Sequence, residues 1–274
     1  MPIPVAATII TMATMTITPD NTHHRGAHPQ GGPAFAVVKE DQPSTSLPSV
    51  VQGPSPIVAM PAAFLRLMAW LSPAFPTGAF AYSHGLEWAV EYGDVTNETT
   101  LLIWLTEIVA NGTGRTDTVL LRHAHRVNAD LAALTDTADL AYATASGRER
   151  QSESLDQGKA FMLAAAPWGV PAAPERIPYP VAVGAVAGAH GIPEGATAAA
   201  FLQAFTTNLI SAAVRLIPLG QTAGLRVLAA LEPTILAVAN ETTSATLDDL
   251  GGCAFRSDLA AMRHETQYTR LFRS

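Results

Sequence analysis

Leu71-Ser72-Pro73-Ala74-Phe75-Pro76-Thr77-Gly78-Ala79-Phe80-Ala81-Tyr82-Ser83-His84-Gly85-Leu86-Glu87-Trp88-Ala89-Val90-Glu91 is the stretch least like an ordinary helical protein. Two prolines and a glycine stop one helical pattern, and Phe80, Leu86 and Trp88 begin another at once, so the break belongs inside the fold and not in a surface linker. Among the aromatic rings stand Tyr82, Ser83, His84 and Glu87, which place a phenol, an alcohol, an imidazole and a carboxylate within less than two turns of helix. Polar groups in such company need partners.

Upstream of this break, Pro61 opens a helix whose Phe64, Leu67, Met68 and Leu71 follow the i, i+3, i+4, i+7 spacing of a buried face. Downstream, a second helix is predicted from about Ala79 to Gly93. A third follows behind Asp94 to Asn97, with Leu101, Trp104, Leu105 and Ile108 as its inner stripe. A fourth, capped by Thr116 or Asp117, turns Leu120, Ala124, Val127 and Leu131 inward. His123 and His125 lie about 200° apart on it and cannot chelate one ion together. Ala138 to Ala166 reads as one long helix on which Arg150 and Glu153 pair at the surface, a contact worth about 0.2–0.5 kcal/mol, and Gly158 with Ala165 admits a neighbouring backbone. The prolines from Pro167 to Pro180 make an ordered connection. Helices follow from Val181 to His190, from Pro193 to Ile217 with Phe201, Leu202, Phe205, Leu209 and Leu216 inward, and from Leu225 on, with Pro233 starting another.

No strand pattern or internal repeat accompanies these helices. The expected fold is therefore all-α, a single bundle-like domain of about ten helices. Three segments are expected: a disordered Pro/Thr/Ser-rich extension over 1–59, the helical domain over 60–256, and a tail over 257–274. His23, His24 and His28 fall in the extension as incidental histidines.

Composition narrows the function. The 274 residues are 48% hydrophobic and 14% charged, and a mean hydropathy of +0.20 leaves apolar surface for a partner. No window was expected to approach the roughly 18 uncharged apolar residues of a membrane span, and no cationic amphipathic face marks a membrane-surface protein. A net charge of −7 argues against a nucleic-acid surface. The lone Cys253 excludes an internal disulfide, and the run after Met1 has no basic residue before it, so a cytoplasmic protein is expected. There is no phosphate loop, dinucleotide fingerprint or nucleophile elbow, hence no catalytic residue and no cofactor. The tail alternates Leu259, Met262, Tyr268, Leu271 and Phe272 with Arg263, Arg270 and Arg273, the composition of a segment that orders against a partner.

The core Ser-Pro-Ala-Phe-Pro-Thr-Gly-Ala-Phe-Ala-Tyr-Ser-His-Gly-Leu-Glu of the opening stretch resembles the signature of urease accessory protein F, UreF. Glu149 to Gly158, Pro218-Leu219-Gly220-Gln221-Thr222 and the ending His264 to Ser274 resemble that family in the same order, so the likeness covers nearly everything after Met60. The resemblance implies an all-helical, non-enzymatic chaperone required for nickel insertion into urease. It would act as a dimeric adaptor between the UreD/UreH scaffold protein and the UreG GTPase, with the urease apoprotein as client and a role in regulating GTP hydrolysis.

Partner-binding candidates follow. Tyr82, Ser83, His84 and Glu87 are expected to line an internal polar surface that docks a partner or passes a hydrated cation. His84 and Glu87, three apart, share a helix face and are transient nickel candidates; their structural alternative is a set of bonded core groups tying the broken helix to its neighbours. Gly220 and Gln221 form a turn presented to the GTPase or the dimer mate, or an ordinary helix stop. In the tail, His264, Glu265, Tyr268, Arg270, Leu271, Phe272 and Arg273 are the expected contacts. A rival reading is a helical metal-dependent enzyme built on His84, Glu87, His190 and His264.

Overall fold

A computed structural model describes residues 59–274; the expected 1–59 extension and its three histidines lie outside the described residues, save for Ala59. The helices are α1 (Ala59–Trp70), α2 (Leu86–Glu91), α3 (Glu98–Asn111), α4 (Thr113–Arg126), α5 (Leu131–Ala143), α6 (Arg148–Ala165), α7 (Tyr179–Ala189), α8 (Glu194–Leu216), α9 (Gln221–Glu241) and α10 (Phe255–His264). Among the described residues there is no strand. The chain is all-α, as its periodicity predicts.

α7 stands at the centre. From Pro180 to Ala187 every residue is buried, which suits a helix apolar all round. Its small residues let α4 come close: a Cβ on Gly184 would land on the Leu121 carbonyl oxygen, and one on Gly188 on that of His125. Gly158 does the same for α6 against the Ile177 carbonyl, as the sequence suggests. Around α7, side chains of α1, α4, α5 and α6 form one apolar cluster that includes Trp70, Leu121, Phe161 and Phe201. A second cluster joins α2, α3, α8 and α9 through Leu86, Leu105, Leu202 and Leu231. The 23-residue α8 serves both, turning Phe201 to one and Leu202 and Leu209 to the other.

Several elements depart from the sequence reading. The second helix is a 3-10 turn, Ala79–Ala81, separated from the short α2 by positive φ at His84 and Gly85. The long helix over 138–166 is two, because the chain breaks at 144–147 and α6 restarts behind Gly147. Leu131 begins α5 and is 48% exposed, so it is no part of the α4 inner face. Pro233 lies inside α9 and starts nothing. On α1, among the residues whose side chains are described, Leu67 and Trp70 are buried; Phe64 and Met68 are exposed. α8 and the run 221–244 are long and apolar enough to cross a membrane by length and composition, with mean hydropathies of 1.3 and 1.4, against the expectation that no window came near. Half of the α8 window and a third of the other are buried, and the two pack on each other within the bundle.

Candidate functional site: a tail seated on the broken helix

The break after α1 is made by residues whose backbone does not suit a helix. Pro73 and Pro76 lie in it, Gly78 takes φ 77°, the 3-10 turn Ala79–Ala81 follows, and Tyr82 is extended. His84 at φ 56° and Gly85 at φ 74° then reverse it into α2. A left-handed histidine is uncommon and implies that the surroundings hold it there. Gly85 has a second reason to be glycine, since a Cβ would fall on the Ala261 backbone nitrogen. That absence lets α10 lie directly on α2.

The exposed backbone of this break is paired by the chain's own ending. The Arg273 N–H donates to the Ala81 carbonyl at 2.8 Å, and the Ser83 N–H donates to the Ser274 carbonyl at 2.8 Å. Ser83 Oγ donates to the same oxygen at 2.5 Å and accepts from the Glu87 N–H at 3.3 Å. Glu87, buried at the head of α2, accepts the Leu271 N–H at 2.6 Å on one oxygen and the Phe272 N–H at 2.8 Å on the other. A carboxylate with two oxygens and two parallel amides is a charge-assisted clamp, worth about 1.5–3 kcal/mol per bond to a charged group.

Side chains complete the seat. Phe272 is 4% exposed, with the Arg215 guanidinium 4.3 Å from its ring centre and 3.7 Å from that of Phe80. Arg215 also donates to the Phe80 carbonyl at 2.9 Å. His264, fully buried, sets Nδ1 2.7 Å from Glu149 Oε2 and Nε2 3.2 Å from Glu87 Oε2. Arg270 donates to the other oxygen of Glu149 at 2.6 Å. Glu265 Oε1 accepts the Arg148 and Glu149 N–H groups at 2.6 and 3.3 Å and so caps α6, which has no capping side chain of its own. Tyr268 and Leu271 point outward, fully and 64% exposed, and Arg273 is exposed with a guanidinium nitrogen 4.0 Å from Asp156.

Behind the tail lies a second buried polar group. Glu153 pairs with Arg150, takes Ser274 Oγ at 2.6 Å and Gln157 Nε2 at 2.9 Å, and stands 3.2 Å from His84 Nδ1. Arg150 and Glu153 are therefore a buried pair and not a surface one, because α6 turns this face towards the break and not to solvent. Burial alone would raise the Glu153 carboxyl, and the Arg150 charge together with His84 and the hydrogen bonds from Arg150 and Ser274 more than reverses that, leaving it below its ordinary value. Burial, with Arg150 adding to it, pushes His84 down to about 3, so the ring is neutral. Tyr82 donates to Asp156 at 3.1 Å, and burial raises its phenol.

Asp117 on α4 faces the same pair. It lines a cavity of about 30 Å³ with His84 and Glu153, and another of about 120 Å³ with Thr116, Ser146 and Asp258; Arg150 and Ser154 border both. Burial pushes its carboxyl up to about 7, with Arg150 pulling down and Glu153 pushing up. A raised acid in the folded state costs stability as pH rises from its ordinary 3.8 to about 7, and the cost is complete above that. Asp117→Asn is thus expected to melt with the wild type near pH ~4 and to gain about 1–2 kcal/mol at pH ~8, a figure reduced from the full shift because the residue is partly exposed. Urea titrations at the two pH values check it.

Of the residues singled out in sequence, the structure brings Ser83, Glu87, His264, Arg270, Leu271 and Phe272 to one seat, with Tyr82, His84 and Glu265 around it. His84 and Glu87 share no helix face: His84 precedes α2 and meets Arg150 and Glu153, whereas Glu87 meets the tail. Gly220 and Gln221 are exposed at the start of α9, outside this cluster, and Gly220 has φ −73°, open to any residue. His190 lies apart as well, bonded to Arg66 and the Gly169 carbonyl, so the four residues of the metal-enzyme reading are not gathered. Among the described residues no group of three or more His, Cys, Asp or Glu side chains is placed to hold a metal ion. Sequence reasoning missed Arg215 and Asp117 as members; a cation and an acid on otherwise apolar helix faces were the available signals.

The family model described as UreF matches residues 95–232. Urease accessory protein UreF of Rhodopseudomonas palustris (strain TIE-1) is 54% identical over 223 residues, covering 78% of this chain and 93% of that one. The protein of the same name from Bradyrhizobium diazoefficiens is 52% identical over 223 residues, 78% and 92% of the two chains. Another, from Rhodopseudomonas palustris (strain BisB5), is 50% identical over 242 residues, 84% of this chain and all of that one. With identities of this order over most of both sequences, the chain belongs to the UreF family of urease accessory proteins.

Proposed function

We propose that this protein is a non-enzymatic chaperone of urease maturation, an adaptor that joins a UreD/UreH scaffold protein to the UreG GTPase so that nickel reaches the urease apoprotein. In this reading it acts as a homodimer and biases GTP hydrolysis by the recruited enzyme. Membership of the UreF family supports it. One structural observation carries it further: the seated tail and α10 leave a line of apolar side chains outside. Phe255, Leu259 and Met262 follow i, i+4, i+7 along α10, and Tyr268 and Leu271 continue past its end, each at least 38% exposed. Aromatic and aliphatic anchors of this kind on a rigid helix suit a protein partner. Phe272, by contrast, is spent inside the chain, so the outward anchors are Tyr268 and Leu271.

The reading also gives the polar seat its task. Glu87 and His84 shape the surface on which the tail lies instead of coordinating an ion. Gly220 and Gln221 remain an exposed turn for the GTPase or the second protomer. Co-expression with scaffold and GTPase followed by size-exclusion chromatography tests the whole proposal. Tyr268→Ala with Leu271→Ala is expected to lower scaffold recovery at least about tenfold, the loss of two interface anchors, with the thermal midpoint unchanged. Undiminished recovery of both partners would overturn it.

A further inference from the structure

α1 carries an apolar face that the rest of the bundle leaves open. Phe64, Leu65 and Met68 are 62, 64 and 58% exposed. Between Phe64, Leu67 and Met68 on one side and Ala196, Ala200 and Ala204 of α8 on the other runs a groove of about 450 Å³. Among the described residues no charged side chain lines it. α8 has no charged residue from Gly195 to Val214, and the single cation of α1, Arg66, is bonded to His190 at 2.9 Å. Glu194, at the head of α8, is taken by Arg122 and Arg126.

We propose that this groove is an interface between two copies of the chain, the α1 ridge of each seated in the α1/α8 groove of the other. The adaptor reading supplies the homodimer on which this rests, and the groove gives that homodimer a contact face. Charge and shape both single out a second copy as the occupant. A two-fold axis sets a face against itself, so a charged side chain near the axis meets its own kind, and a chain of net charge −7 closes such a contact most readily where its surface is neutral. A charged segment of a different partner finds no complement there. Phe64 and Met68 form an i, i+4 ridge, and Ala196, Ala200 and Ala204 form a row of small side chains at the same spacing, so each copy carries ridge and groove side by side. Ridges and rows of this spacing pack with the helices crossing at about 50°, the commonest class of helix packing. Because ridge and groove adjoin, one two-fold operation makes both contacts at once and the pair closes.

Light scattering on the full chain, with the variants Met68→Glu and Ala200→Glu, tests it. Each substitution sets a carboxylate against an apolar wall or against its own copy, and is expected to raise the dimer dissociation constant at least about 100-fold. Helical circular dichroism should not change, because neither side chain is buried. Leu163→Glu, at a leucine 69% exposed on α6, is expected to leave the dimer intact. Salt at ~1 M should not dissociate the wild type, since no ion pair holds this face. In the wild type, hydrogen exchange of the α1 amides should slow as the protein is concentrated from ~1 µM to ~100 µM, a readout that needs no variant. A dimeric wild type whose groove variants also stay dimeric, whose dimer salt dissociates, or whose α1 exchange ignores concentration would overturn the groove as the contact and leave the adaptor reading standing. A wild type still monomeric at ~100 µM would remove the homodimer from that reading together with this interface.

Discussion

Arg122→Ala is expected to lower the unfolding free energy by about 3–5 kcal/mol, the cost of breaking a buried ion pair by removing one partner. Arg122 is 2% exposed near the middle of α4, with its guanidinium spread over three elements. Nε donates to Thr242 Oγ1 at 3.1 Å, one terminal nitrogen to Glu194 Oε1 at 2.5 Å, and the other to the Ala239 carbonyl at 2.5 Å. The last turn of α9 and the first of α8 are thereby fastened to α4, and truncation leaves a buried carbonyl, a hydroxyl and a void together. Arg126 still reaches Glu194 at 2.8 Å, so the carboxylate is not orphaned and the loss should stay near the lower end of the range. The pH dependence separates this from simple cavity formation. Burial alone would raise Glu194, and hydrogen bonds from Arg126 and Arg122 more than reverse it, holding the carboxyl below its ordinary 4.5. A depressed acid contributes stability that is present above its unfolded value and lost as pH falls through the folded one. Wild type and variant should therefore draw together on acidification, and urea midpoints at pH ~7 and pH ~3.5 would show it. A gap that is independent of pH would assign the loss to packing alone.

How much of this architecture the sequence discloses depends on whether a residue's burial follows from its own element. The α3 stripe of Leu101, Trp104, Leu105 and Ile108 is buried as its spacing predicts, because a helix in the middle of a bundle has its apolar face covered whatever covers it. The α1 stripe has the same spacing, yet Phe64 and Met68 face outward, because periodicity names a face and cannot say that a neighbour exists for it. Arg150 and Glu153 show the same limit in reverse: an i, i+3 pair of opposite charges looks like surface decoration until the face is seen against the break and the tail. The division between α5 and α6 was hidden for another reason. The alanine-rich run through Ala143 and Ala145 favours helix on both sides, and what ends it is Gly147 together with a capping carboxylate supplied from Glu265, more than a hundred residues on.

The seat itself was half legible. Tyr82, Ser83, His84 and Glu87 stand out because polar groups amid aromatics require partners, and the tail stands out because its anchors exceed what it can bury alone. That each is the other's partner could not be read, since pairing by way of backbone amides leaves no residue-type signature: Leu271 and Phe272 engage Glu87 through N–H groups that every non-proline residue carries.

Glu87→Gln tests that pairing most directly, because it preserves shape and changes only what the oxygens can do. Glu87 accepts two tail amides, one on each oxygen, and lies against His264 Nε2. The substituted amide keeps one acceptor and places an NH2 group against either the Leu271 or the Phe272 N–H, a donor facing a donor in a buried site. Loss of one charge-assisted bond and desolvation of the abandoned amide together cost about 3 kcal/mol. Exchange at residues 271–274 should rise on the order of 100-fold, the equivalent of that energy at room temperature. The amides of α7 should keep their protection, since the apolar cluster around that helix does not include the tail, whereas the cluster of α2, α3, α8 and α9 contains Phe272 and should be weakened with it. Under the adaptor reading, scaffold recovery should fall with the tail's release, because an unfastened segment must be ordered again at each encounter. Unaltered tail exchange in Glu87→Gln would mean that packing of Phe272 against Arg215 and Phe80 holds the ending by itself, and that the carboxylate on which the seat is built contributes nothing to keeping it closed.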